Sequence, residues 1–69
     1  MERIPVISTN IASVGYDEAS EVLEIGFNHG GVYQYSGVPQ SVYDGMMGAD
    51  SKGKYFHAYI DKKYPYSKL

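Results

Sequence analysis

Residues 22–36 constrain the fold more than any other part of the chain. Leu23, Ile25 and Phe27 alternate with Val22, Glu24 and Gly26, the period-2 pattern of a strand with one buried face. Asn28-His29-Gly30-Gly31 supplies turn chemistry, and Val32 to Ser36 returns as an antiparallel partner. The loop length decides where the tyrosines point. A three-residue loop ending on Gly30 in the left-handed conformation sets Phe27 opposite Gly31, Tyr33 opposite Ile25 and Tyr35 opposite Leu23, on the buried side. A two- or four-residue loop moves the pairing by one and turns both rings to the other face. In that register Gln34 enters the core, where an unpaired amide costs about 1–3 kcal/mol, so the first register is favoured.

The neighbouring segments extend the sheet. Ile11 to Tyr16 reads as a strand, preceded by the turn cluster Ser8-Thr9-Asn10. Arg3 to Ser8 suits an edge strand, the one place where Pro5 is tolerated. Beyond Gly37 the period changes. Pro39 fits a first helical position, Val42, Tyr43, Met46 and Met47 recur at helical spacing, and Gly48 is a stop. A second helix is expected from Ser51 to about Lys63, because Pro65 disfavours helix at Tyr64. Its buried stripe is Phe56, Tyr59 and Ile60. The expected architecture is α+β: a small antiparallel sheet of three to four strands with two C-terminal helices packed on one face, β-β-β-β-α-α, as one domain over residues 1–69.

Composition narrows the function. Sixty-nine residues leave room for one core, and eight Tyr with two Phe carry much of its packing. The absence of Cys excludes disulfides, zinc–thiolate sites and thiol catalysis. No apolar run approaches the roughly 20 residues of a membrane span, and no signal-peptide layout is present. A cytoplasmic, reducing location and no membrane partner are expected. Charge is segregated. Residues 1–50 carry one cation, Arg3, against seven carboxylates, a net of −6, whereas residues 51–69 carry five lysines against Asp61, a net of +4. Either the two parts pair across the fold or the C-terminal part meets an acidic partner.

Ser51-Lys52-Gly53-Lys54 is the candidate site. A capped helix start carries partial positive charge from its unpaired amides and ordinarily favours Asp or Glu. Lysines there suit a phosphate or carboxylate more than they suit the helix. Gly53 is expected to leave the first-turn amides accessible, with Tyr55 and His57 flanking and Lys62 adding diffuse attraction. Gly48 and Gly53-Lys54 nearly spell a phosphate-binding loop. Tyr55 stands where that loop needs Ser or Thr, however, and a helix rather than a strand precedes it, so the match is rejected. His57 and Asp61 are spaced for a surface ion pair. Two histidines without a third convergent ligand make no metal site, and no catalytic constellation stands out. No cofactor, metal or enzymatic activity is expected. Tyr33-Gln34-Tyr35 alternates as in sheets that stack bases, although core packing explains the tyrosines better.

Gly15-Tyr16-Asp17, the Leu23/Ile25/Phe27 strand, Tyr33-Gln34-Tyr35, Val38-Pro39 with Val42-Tyr43, Ser51 to Phe56 and Tyr64-Pro65 together resemble the KTSC family. These short domains are named for a C-terminal extension of some lysyl-tRNA synthetases and also occur as small bacterial or phage proteins. The resemblance runs from about Ser8 to Pro65, with His57 where many relatives have Asn. It implies a small single domain and, by association with a tRNA synthetase, a role in RNA binding; Tyr33 and Tyr35 match the family's Tyr-x-Tyr motif. RNA is therefore the first expected partner and a protein the second, as a non-catalytic interaction module.

Overall fold

In a computed structural model covering residues 1–69, the chain forms a five-stranded antiparallel sheet with two helices on one face. The strands are β1 (Ile4–Pro5), β2 (Ile11–Asp17), β3 (Val22–Phe27), β4 (Val32–Tyr35) and β5 (Tyr66–Lys68), in spatial order β1-β2-β3-β4-β5. Helices α1 (Gln40–Gly48) and α2 (Lys52–Tyr59) lie between β4 and β5 in the chain. The α+β class holds, with one strand more than the sequence pattern provides. Tyr66-Ser67-Lys68 follows Pro65 immediately and pairs with β4, setting Tyr66 opposite Tyr35 and Lys68 opposite Tyr33.

The central hairpin adopts the three-residue loop. Leu23 faces Tyr35 and Ile25 faces Tyr33, and the Phe27 amide donates to the Gly31 carbonyl at 3.1 Å. Gly30 (φ 106°) and Gly31 (φ 89°) both occupy a region that a side chain would resist, which is why two glycines close this loop. Tyr35 is buried and Tyr33 half-buried.

Ile11, Val14, Leu23, Ile25 and Tyr35 from the sheet meet Val38, Met46, Phe56 and Ile60 in one core. Tyr16 ties β2 to the helical layer. Its ring stacks on Tyr43 of α1 at 4.7 Å, and its hydroxyl donates to the Val38 carbonyl at 2.6 Å. Desolvation, reinforced by nearby Glu21, Glu18, Asp44 and Asp17, raises its pKa and keeps that hydroxyl a donor. Pro39 precedes α1 in an extended conformation instead of opening it, and its carbonyl accepts from the Val42 and Tyr43 amides.

Helix α2 is shorter than its sequence spacing predicts. It ends at Tyr59, where the Ile60 and Asp61 amides both turn to the Phe56 carbonyl. The chain then reverses through Lys62, which holds a left-handed φ of 63° without being glycine. Lys62 and Lys63 therefore lie past the helix and do not cap its end. Phe56 and Ile60 are buried as expected, but Tyr59 faces outward and packs on Tyr55 at 4.6 Å.

The other face of the sheet is polar and closed by the N-terminus. Gly15 and Gly26 leave a trough: a Cβ on Gly15 would stand 2.7 Å from the Glu2 carbonyl oxygen. Arg3 lies over it, with its Nη1 2.7 Å from Glu24 Oε2 and its Nε donating to Ser13 Oγ at 3.0 Å. Gln34, directly opposite Glu24, donates to Glu24 Oε1 at 2.9 Å. Glu24 is 4% exposed and both its oxygens are engaged. The Gln34 hydrogen bond chiefly, and the Arg3 guanidinium next, outweigh desolvation and hold its carboxyl below the usual range.

Candidate functional site

The residues singled out around α2 separate into four places. Ser51, Gly53, Lys54 and His57 share a shallow groove of about 470 Å³ with Thr9 and Asn10 of the β1–β2 connection. Ser51 is the helix cap: its Oγ accepts from the Lys54 amide at 3.2 Å and its carbonyl from the Tyr55 amide at 3.1 Å. Those two amides are engaged within the turn. Gly53 is buried, not open, because the Ser8–Asn10 turn packs on it. A Cβ there would meet Asn10 Nδ2 at 3.4 Å and Ser8 Oγ at 3.7 Å. Both distances are ordinary van der Waals contacts, so it is the turn and not the missing side chain that covers the backbone here.

Lys52 turns away from this groove. Its Nζ donates to the Ala49 carbonyl at 3.3 Å, and it lines a neighbouring depression with Asp50. Tyr55 does not flank the groove. Its hydroxyl lies on Gly45 of α1, where any Cβ would collide with it, so Gly45 is the contact point between the helices. Lys62 lines a third, aromatic cleft with Phe27, Tyr33 and Tyr66. The Tyr35 ring sits beneath that cleft, its hydroxyl pushed up to about 12, mainly by burial.

The charge arrangement is informative. Arg3 and Glu24 form an ion pair, and His57 Nδ1 lies 3.1 Å from Asp61 Oδ2 on the surface of α2. Lys52, Lys54, Lys62, Lys63 and Lys68 make no ion pair with any carboxylate. The expectation that the acidic and basic parts neutralise each other across the fold is thus not met by any direct contact. Lys54 is exposed at the groove and is its sole lysine. No three His, Asp or Glu side chains come together as a metal site, and no helix is long and apolar enough to cross a membrane. Thr9 and Asn10 were not indicated by the sequence pattern; they reach the site only through the packing of their turn on Gly53.

Comparison with known proteins agrees with this fold. A family model described as the KTSC domain matches residues 7–64. The chain is 37% identical over 57 residues to an uncharacterised protein of Stutzerimonas stutzeri, covering 83% of this chain and 80% of that protein. It is 39% identical over 54 residues to a lysine–tRNA ligase of Trichormus variabilis, covering 78% of this chain but only 10% of the ligase. A crystal structure of a KTSC domain protein from Yersinia pestis is 43% identical and superposes with a TM-score of 0.97 over 99% of this chain and 96% of that one. The matches thus span most of the small proteins and a minor segment of the ligase, and the chain belongs to the KTSC domain family.

Proposed function

We propose that this KTSC domain is an RNA-associated accessory domain that holds phosphate oxygens at the start of α2. The observation that carries the proposal is the set of five C-terminal lysines without a carboxylate partner, in a protein that pairs its only arginine. Lys54 is the principal cation. Ser51, Asn10 and Thr9 supply neutral donors around it, and His57, its Nδ1 against Asp61, lines the same groove. Lys52 and Lys62 contribute at longer range from their own depressions. Similarity to a segment of lysine–tRNA ligases supports RNA as the acidic partner. Few phosphates are contacted, so binding is weak and its salt dependence is shallow.

The test is an NMR titration with a short RNA at low and then high salt. Amide shifts at Ser51, Gly53 and Lys54 that fade with salt are expected. No shift at Gly53 or Lys54 in either condition overturns the proposal. A protein-interaction role is the second reading, favoured by Ile7, which is fully exposed, and by Ile4 on the edge strand β1. Capture of a protein from lysate that survives nuclease treatment and is lost in Ile7→Ser supports that role instead.

A further inference from the structure

The early end of α2 leaves part of the sheet's helix-side face uncovered, and that part is aromatic. Phe56 covers Tyr35 at 5.5 Å and touches Phe27 at 5.6 Å, but nothing continues the helix over β5. Tyr66 is consequently 61% exposed although its ring packs beside Tyr33 (5.8 Å) and Tyr35 (5.7 Å). Phe27 meets the Tyr33 ring edge-on at 5.6 Å and extends the strip to the hairpin tip. The strip lines an open cleft of about 270 Å³.

Two unpaired cations border it. Lys62 lines the cleft from the turn after α2, and Lys68 Nζ lies 6.0 Å from the Tyr33 ring centroid. Asp61, the single carboxylate in the cleft, is already engaged by His57 at 3.1 Å. Aromatic rings running from β3 across β4 to the edge strand β5, with ammonium groups beside them, match a flat uncharged ring joined to anionic groups. A purely apolar partner leaves the lysines unused, and a duplex cannot present its stacked base faces.

We infer that the Phe27–Tyr33–Tyr66 strip is a stacking platform for unpaired nucleobases, with Lys62 and Lys68 taking the adjoining phosphates. The inference rests on the RNA-associated reading above and adds that the ligand is single-stranded. It also places the base contact on the sheet, apart from the phosphate contact at Lys54.

The experiment measures affinity for a single-stranded oligoribonucleotide and for a fully paired duplex of equal phosphate count, by fluorescence anisotropy at low salt. The variants are Tyr66→Val, which suits an edge strand, Tyr66→Trp, which keeps a stacking face, and Lys54→Gln. Tyr66→Val is expected to weaken single-strand binding about tenfold, to leave duplex binding unchanged and to be rescued by Tyr66→Trp. Ring-proton shifts of Tyr66 and Tyr33 in the unmutated protein on adding single strand give a second readout that does not depend on any variant folding. Absence of those ring shifts, or equal losses on both RNAs, overturns the platform. If Lys54→Gln weakens both RNAs while Tyr66→Val weakens neither, the platform fails alone and the phosphate site stands. If the unmutated protein binds neither RNA, both fall, and ring shifts on adding a peptide would then mark the strip as a protein contact.

Discussion

The polar face of the sheet and the C-terminal lysines handle charge in opposite ways. On the sheet, Glu24 is nearly inaccessible and every oxygen it owns has a donor, from Arg3 and Gln34. Around α2 and β5, five lysines stand without a carboxylate partner. The first arrangement is what burial demands, since an unpaired buried carboxylate is expensive. The second has no such demand, because exposed ammonium groups are solvated at no structural cost. Charge in the first region therefore serves the fold, whereas no carboxylate neutralises the charge in the second.

Substitutions should divide along that line. The largest effect is expected at Glu24: Glu24→Ala removes the acceptor of Arg3 Nη1 and of the Gln34 amide and should cost about 2–3 kcal/mol in chemical denaturation. A loss below about 0.5 kcal/mol would put Glu24 in the same class as the lysines and erase the contrast. Next comes Gly15→Ala, whose Cβ meets the Glu2 carbonyl and must lift the N-terminal segment with Arg3. About 1–2 kcal/mol is expected, with hydrogen exchange rising in β1 ahead of the core.

Acid sharpens the same comparison. The Glu24 carboxyl titrates below its unfolded value, so its contribution is fully present above the ordinary carboxylate range and is lost as pH falls through the folded pKa. The denaturation midpoint should drop on going from pH 7 to about pH 3, and Glu24→Gln should flatten that part of the curve. The smallest effect belongs to the lysines. Lys54→Gln and Lys62→Gln should each change stability by less than about 0.5 kcal/mol. A larger loss in thermal or chemical melts would mean that these cations hold the fold together after all.

Local signals carried much of the fold. The hairpin register followed from two glycines and from the cost of burying Gln34, and α1 followed from its helical spacing and Gly48. Features set by distant contacts were not legible. β5 has three residues, too few for a period, and owes its place to β4. Glu24 looks like an ordinary outward strand residue until Arg3, 21 positions away, closes over it. α2 carries no glycine stop, because Lys62 takes the left-handed turn itself, and the error in its end misplaced Lys62. At the candidate site, cap spacing joined Ser51 to Lys54 and helical spacing brought in His57. Burial of Gly53 and the arrival of Asn10 depend on a turn forty residues earlier in the chain.

If an external phosphate is held by Lys54, the salt dependence of RNA affinity reads that contact out. For a single-stranded oligonucleotide, each phosphate neutralised contributes about 0.7 to the slope of log affinity against log salt. Lys54→Gln should reduce the slope by about that amount and leave the melting curve unchanged. An identical slope in the two proteins would mean that Lys54 carries no part of the contact.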